Sequence, residues 1–227
     1  MPQHDELRVL LVDDDPTVLR AYAHILERDG VTVQTAANGK EATERVTAAS
    51  FGRAIRAKVA AAVEAPESPG VKLFVNLHSA DLNDDELYSA DAPLSKIANR
   101  VVLEVTERAS LYGVKNVSGC VARLKALGFQ MAVDDLGAGY AGLTSFTQLE
   151  PEVAKLDMSL VRGIDVDSRR QSIVRSMKSL CDELGMMVIA EGVETAAERD
   201  TLADLGCDLL QGYLFAKPGR RFESARW

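Results

Sequence analysis

The sequence predicts an α/β fold in which most of a (β/α)8 barrel follows a shorter βαβα segment. Short apolar runs recur along the chain, helical segments separate most of them, and glycine often marks the turn from a helix back to a strand. Strands of a parallel sheet are near-continuous apolar runs because helices cover both faces of the sheet. The repeated alternation therefore indicates a parallel sheet or barrel.

The N-terminal segment has the pattern strand, helix, strand, helix. An apolar run, Leu7–Val12, ends in the acidic triplet Asp13–Asp15, as expected of a buried parallel strand with acids at its carboxyl end. Pro16–Arg28 has helical periodicity, Val31–Thr35 is a second strand, and an Asn-Gly turn leads to a helix around Glu41–Val46.

An alanine-rich helix, Ala48–Val63, and a loop with two prolines, Ala65–Gly70, lead into the rest of the chain. We place the domain boundary so that residues 1–49 and 50–227 form the two domains. The later apolar runs are Lys72–Leu77, Val101–Val105, Gln130–Val133, Val153–Leu156, Met187–Ala190 and Leu209–Leu214. These six runs fit most of a (β/α)8 barrel better than a small open sheet.

Composition excludes several classes of protein. Hydrophobic residues make up 47% and charged residues 26%, as in an ordinary soluble protein. The net charge of −8 argues against non-specific binding to DNA or to an anionic membrane. No run reaches the roughly 18 apolar residues of a membrane helix, and the cysteines show no zinc-ligand spacing. We expect a cytoplasmic protein with neither DNA nor membrane as partner.

Polar side chains lie in or directly after each of the six later strands. In a barrel those strand ends converge on one face, where active sites lie. A charged group in a buried strand is costly unless it is paired or binds metal. The set consists of Asn76, Glu104, Glu107, Asp134, Asp135, Lys155, Asp157, Glu191, Glu194 and Gln211.

These residue types indicate metal-assisted hydrolysis. Carboxylates and an amide oxygen, without His or Cys, favour hard divalent cations such as Mg²⁺ or Mn²⁺. Adjacent Asp134 and Asp135 are suited to sharing two ions about 4 Å apart, an arrangement that supports phosphodiester hydrolysis. In that chemistry Lys155 holds the attacking water or neutralises phosphate charge, and Glu191 accepts the proton.

The motifs VNLHSADL, LEVTE, AVDDLGAGYAGL, AKLD, AEGVE and QGYLFAKP follow one another in the order and rough spacing of the EAL-domain family. Residues ~50–220 thus resemble that family of cyclic di-GMP phosphodiesterases. The resemblance implies a TIM-like barrel that hydrolyses cyclic di-GMP to the linear dinucleotide with two Mg²⁺ or Mn²⁺ ions.

Site roles follow from the same resemblance. It implies that the metal ligands are Asn76, Glu104, Asp134 and Asp135, and that Lys155 and Glu191 serve the attacking water. It also implies that Gln211 is an active-site polar group and that Glu194 contacts the nucleotide. Glu107 would brace the loop 134–140, which couples dimerisation to activity in the family and would make this chain a homodimer.

The chain departs from the family in two places. Leu136 and Ala138 stand where the family usually has Phe and Thr. The Glu-Ala-Leu strand that precedes VNL in the family is absent, and its Glu is a metal ligand there. We therefore expect reduced activity.

Residues ~7–47 resemble the beginning of a response-regulator receiver domain, in which Asp13 and Asp14 would help bind Mg²⁺. The later receiver elements are missing, so no phosphoryl transfer is expected. One hypothesis is a hybrid barrel in which Leu7–Val12 enters where family strands are missing and Asp13 or Asp14 replaces the lost ligand. The alternative is an internal deletion from a longer receiver–EAL regulator.

Two functions from different classes follow. The first is a phosphodiesterase of bacterial signalling that hydrolyses cyclic di-GMP, impaired by the missing Glu. The second is a catalytically inactive module that binds cyclic di-GMP or a protein. A truncation that does not fold cooperatively is a third reading.

Overall fold

A computed structural model describes residues 8–12, 15–28, 32–36, 48–63, 71–106, 114, 116–138 and 142–218. The chain divides into two compact units, residues 1–55 and 56–227. No helix in the described ranges is long and apolar enough to cross a membrane.

The first unit contains a local βαβ arrangement. Strand β1 (Arg8–Val12), helix α1 (Pro16–Arg28) and strand β2 (Thr32–Ala36) follow one another. The two strands pair in parallel, from Arg8 opposite Thr32 to Val12 opposite Ala36. Asp15 accepts a hydrogen bond of 2.7 Å from the backbone N–H of Thr17 in the first turn of α1.

The hypothesis that Leu7–Val12 joins the barrel sheet is not supported. Among the described strands, β1 hydrogen-bonds to β2 and to no strand of the six-stranded sheet. One helix is enough to connect two parallel neighbours, so β2 is the nearest partner in sequence that satisfies the backbone groups of β1.

The second unit contains a parallel sheet of six strands whose spatial order is their order in the chain. The strands are β3 (Leu73–Asn76), β4 (Val101–Thr106), β5 (Gln130–Leu136), β6 (Val153–Leu156), β7 (Met187–Ala190) and β8 (Leu209–Leu210). The helices are α2 (Ala48–Val63, which begins in the first unit), α3 (Val117–Ala126), α4 (Gly142–Leu149), α5 (Met158–Val161), α6 (Ser168–Glu183) and α7 (Ala196–Asp204). Between β3 and β4 lie 3₁₀ helices over Ser79–Asn83, Asp85–Tyr88 and Ser95–Arg100.

The six strands form a half-barrel, so the predicted α/β class with an incomplete barrel is confirmed. Side chains on one face of the sheet, including Leu103 and Val133, join the main buried core. The other face carries a smaller cluster of Val102, Ala132 and Val153. Strand residues alternate between the two faces, which is why consecutive positions of β4 belong to different clusters.

Strand β8 is shorter than the predicted run Leu209–Leu214. A side chain at Gly212 would place its Cβ 2.1 Å from the carbonyl oxygen of Val193 and 2.4 Å from its nitrogen. The backbone at residue 212 therefore lies directly against the loop after β7. Because the chain turns at this contact, residues 213–215 form a turn in place of an extended strand.

Helix α2 carries a buried arginine that contacts three carboxylates. Arg56, 5% exposed, lies 3.1 Å from Asp81, 2.6 Å from Asp84 and 3.2 Å from Glu86, each distance joining a guanidinium nitrogen to a carboxylate oxygen. Asp81 also accepts a hydrogen bond from the backbone N–H of His78, and Asp84 one from that of Glu86. This arginine cluster (Arg56, Asp81, Asp84 and Glu86) fixes the segment that follows β3.

Candidate functional site

The sheet brings the predicted site residues to one edge. Asn76 is the register partner of Glu104 on the neighbouring strand, and Asp134 is the partner of Thr106. The backbone N–H of Glu191 donates to Leu156, and that of Gln211 donates to Ala190. Because the strands are parallel, their carboxyl ends meet there, as the sequence predicts.

Lys155 lies at the centre of this site, where the carboxyl ends of the strands meet. Its ammonium nitrogen is 2.5 Å from Glu104, 2.6 Å from Glu191 and 3.2 Å from Asp134, each measured to a carboxylate oxygen. The lysine is 5% exposed, so these pairs are only weakly screened by water. In this lysine cluster (Lys155, Glu104, Asp134 and Glu191) one positive charge faces three carboxylates, which leaves negative charge for a further cation to balance.

Burial and pairing shift the pKa values in this cluster. Burial raises the pKa of Glu104 and of Glu191, and their pairing with Lys155 only partly offsets that effect. Burial disfavours the charged form of Lys155, but its hydrogen bonds to the two glutamates outweigh burial and raise the lysine pKa above its ordinary value. The lysine therefore stays protonated, and the glutamates are poised to take up protons.

A backbone irregularity puts two adjacent aspartates at the site. Consecutive residues of a regular strand point to opposite faces. Here Asp135 has φ 57°, in the left-handed region, and the β5–β6 register shifts between Val133 and Leu136. The Asp134 carboxylate also accepts a 3.0 Å hydrogen bond from the backbone N–H of Asp135. Such bulges re-aim side chains next to active sites.

Three carboxylates are placed to hold a metal ion. Asp134, Asp135 and Glu191 each offer an oxygen, and these atoms all lie within 4.8 Å of one another. An all-oxygen set of this kind suits Mg²⁺, Mn²⁺ or Ca²⁺. Glu104 is not part of this triad, and Asn76 lies at the end of the neighbouring strand.

Three predicted site residues fall outside the described part of the chain. These are Glu107, Asp13 and Asp14. Gly139 and Tyr140, the end of the loop predicted to support dimerisation, lie outside it as well. Their roles stay predictions.

A cleft of about 380 Å³ opens beside the triad. Residues that line it include Asp135, Asp157, Arg162, Glu191, Gln211 and Tyr213. Asp157 accepts a hydrogen bond from the backbone N–H of Ser159 at the start of α5, which accounts for this residue as a helix cap.

Sequence reasoning missed Arg162. Its guanidinium donates to both carboxylate oxygens of Glu194, at 2.5 Å each, and to the carbonyl oxygen of Gly192 at 3.0 Å. Glu194, predicted to contact the nucleotide, is thus the partner of an arginine in the cleft wall. Arg162 and Glu194 are 32 positions apart, so no local pattern could have paired them.

Comparison with known proteins agrees with this site. The model of the EAL domain family matches residues 9–218. The cyclic di-GMP phosphodiesterase RocR of Pseudomonas aeruginosa is 31% identical over 152 residues, which is 65% of this chain and 39% of that protein. The chain thus spans well under two thirds of the length of this relative.

Solved structures are similar as well. The Klebsiella pneumoniae protein BlrP1, in complex with calcium and cyclic di-GMP, is 30% identical with a TM-score of 0.69, over 84% of this chain and 49% of that one. A standalone EAL protein from Vibrio cholerae O395, in its cyclic di-GMP-bound form, is 31% identical with a TM-score of 0.65, over 83% of each chain.

The family match begins at residue 9, inside the segment that resembles a receiver domain. It extends to residue 218 and includes every residue of the lysine cluster and of the Asp134–Asp135–Glu191 triad. A match over this much of the chain establishes its membership: the chain belongs to the EAL domain family.

Proposed function

We propose that this chain hydrolyses one phosphodiester bond of cyclic di-GMP to give the linear dinucleotide. The observation that carries this proposal is the lysine cluster next to the Asp134–Asp135–Glu191 triad at the edge of an open cleft. The absence of a Glu-Ala-Leu strand reduces the rate, because one metal ligand of the family has no counterpart.

The triad would hold a divalent cation, Mg²⁺ or Mn²⁺, and Asn76 and Glu104 would serve a second. When bound, such ions make water more acidic and neutralise charge on phosphate. The protonated Lys155 donates hydrogen bonds to the nucleophilic water or to a phosphate oxygen. Glu191 would take the proton from that water.

The relatives support this proposal. RocR is a cyclic di-GMP phosphodiesterase, and BlrP1 forms complexes with cyclic di-GMP and either calcium or manganese. We further propose a cytoplasmic signalling protein that dimerises through the loop 134–140, as the family resemblance of the sequence implies. We also retain residues 1–49 as a receiver-like N-terminal segment and residues 50–227 as an EAL-like barrel that lacks its first strands.

A second candidate is an inactive module that still binds cyclic di-GMP. It is favoured by the sheet itself, which has six strands among the described residues in place of the eight of a closed barrel. It is also favoured by Glu104, whose carboxylate lies against Lys155 and outside the metal-binding triad.

Turnover of cyclic di-GMP at excess Mg²⁺ and Mn²⁺, followed by separation of the products, tests the proposal. We expect the linear dinucleotide from the wild-type chain, its loss in Glu191→Ala, and its retention in Glu183→Ala, which removes an exposed glutamate at the end of α6. Binding without turnover in a folded sample establishes the inactive module. A folded sample that shows neither binding nor turnover would exclude both functions.

A further inference from the structure

Arg162 lines the cleft, and two of its guanidinium N–H groups remain available to a ligand. Its side chain is 41% exposed, although its Nε–H is taken by Gly192 and one N–H on each terminal nitrogen by Glu194. A guanidinium carries five N–H donors. One N–H on each terminal nitrogen is therefore left for a ligand. These two donors diverge, so each suits a single acceptor atom better than the paired acceptors of a base edge.

A buried glutamate fixes this arrangement before any ligand arrives. Glu198, 5% exposed, accepts backbone hydrogen bonds from Gly163 at 2.9 Å and from Glu194 and Thr195 at 3.0 Å each. It thus ties the residue that follows Arg162 to the loop that carries the arginine's partner. Burial opposes the charge of Glu198, but these N–H groups outweigh burial and hold its pKa below the ordinary value. Such preorganisation lowers the entropy cost of binding.

The negative charge of the cleft lining indicates what Arg162 binds. The lining carboxylates belong to Asp135, Asp157, Glu191 and Glu194. A cyclic dinucleotide carries two phosphate charges and must enter among these acids. A cation held by the Asp134–Asp135–Glu191 triad would neutralise part of that charge, because Asp135 and Glu191 line the cleft. Arg162 is the arginine among the residues that line the cleft, and it is not a member of the triad.

We propose that Arg162 binds a phosphate oxygen of the dinucleotide, and that Glu194 is a positioning residue acting through Arg162. This inference rests on cyclic di-GMP being the ligand. It assigns to Glu194 an indirect role in place of the direct nucleotide contact that the resemblance implies.

The test is equilibrium binding by calorimetry with Ca²⁺, using cyclic di-GMP and cyclic di-AMP. Arg162→Ala is expected to weaken binding of both by about tenfold or more, the worth of a charge-assisted hydrogen bond. Arg162→Lys restores part of the loss because the charge returns without the fork. Glu194→Gln gives a loss of a few-fold. Arg169→Ala, which removes an exposed arginine that does not line the cleft, leaves both constants within twofold.

Each other outcome overturns the inference. A loss confined to cyclic di-GMP assigns Arg162 to the guanine base. Equal affinities for Arg162→Ala and Arg169→Ala exclude the role of Arg162 but leave the proposed function untouched, because turnover by the wild-type chain tests that function separately. A wild-type chain that binds neither dinucleotide overturns the proposed function too. Thermal melts monitor folding, and if Arg162→Ala does not fold, Arg162→Lys and Glu194→Gln decide the matter.

Discussion

Two buried clusters of the second unit have the same inventory, one basic side chain and three carboxylates, yet they serve different purposes. The arginine cluster comprises Arg56, Asp81, Asp84 and Glu86, and the lysine cluster comprises Lys155, Glu104, Asp134 and Glu191. Their shortest base-to-acid distances are 2.6 Å and 2.5 Å, so distance does not distinguish them.

The difference lies in what else the carboxylates contact. Asp81 and Asp84 also accept backbone hydrogen bonds from His78 and Glu86, so these carboxylates stabilise the backbone of the segment that follows β3. Asp134 and Glu191 sit at strand ends beside a cleft, where Asp135 joins them in the triad. The acids of the arginine cluster therefore hold the segment that follows β3, whereas the lysine cluster stands beside a cleft that Glu191 lines.

Arg56→Met should give the largest change in stability. Removing the guanidinium leaves Asp81 and Asp84 buried without their counter-charge, which costs about 3–5 kcal/mol of unfolding free energy. Urea unfolding measures the change. Lys58→Met, at an exposed position of the same helix, should stay within about 0.5 kcal/mol of wild type. An Arg56→Met protein as stable as Lys58→Met would contradict the structural role.

Lys155→Met should lower turnover of cyclic di-GMP by about 100-fold or more, the usual contribution of a positioned acid–base group. The variant loses the ammonium that faces three carboxylates. It also loses the hydrogen bonds that we propose this group donates to the reacting oxygens. Initial rates at excess Mn²⁺ measure the effect. The folded fraction of Arg56→Met is the control, and it should keep its turnover. A similar loss of turnover in both variants would erase the distinction between the clusters.

Divalent metal should stabilise the wild-type chain through the triad. At 100 times the dissociation constant, Mn²⁺ adds about 2.7 kcal/mol to the unfolding free energy, and a tenfold loss of affinity in Asp135→Asn removes about 1.4 kcal/mol of that. Thermal melts with Mn²⁺ and with chelator measure the shift. Asp157→Asn changes another acid of the same cleft outside the triad and should keep the full shift.

The raised pKa of Glu191 should give the smallest effect, a pH dependence of stability. The folded chain holds this proton more tightly than the unfolded chain, whose glutamate titrates near pH 4.5. The stabilisation from this proton is complete below that pH and is lost as the pH rises through the pKa of Glu191 in the folded chain. Over that range the unfolding free energy falls by at most about 1.4 kcal/mol per pH unit. Relative to Glu191→Gln, wild-type stability in chelator should therefore fall with rising pH. A parallel profile for both chains would refute the shift.

Much of the fold follows from the sequence because buried parallel strands are apolar runs. The predicted strands Val153–Leu156 and Met187–Ala190 and the helix Ala48–Val63 match the observed bounds. The convergence of the polar residues on one edge follows from the same topology. The end of β8 could not be foreseen, because it depends on the close contact of Gly212 with a distant backbone segment.

The interactions between charged side chains were harder to predict from the sequence. Arg56 sits in an alanine-rich helix, and its closest acid, Asp84, is 28 positions away. The bulge that turns Asp135 toward the site depends on the pairing of two strands. Such contacts join segments with no sequence periodicity in common, so only the folded chain reveals them.

The order of the strands also has a consequence for synthesis. Each strand of the six-stranded sheet pairs with the one made just before it, so a chain emerging from the ribosome can add strands in the order in which they appear. Glu104 and Asp134 come together before Lys155 exists, and their carboxylates must stay hydrated until β6 arrives. Glu191 and Gln211 come last. The nascent polypeptide therefore cannot assemble its ligand cleft until β8 and the residues that follow it have been synthesised.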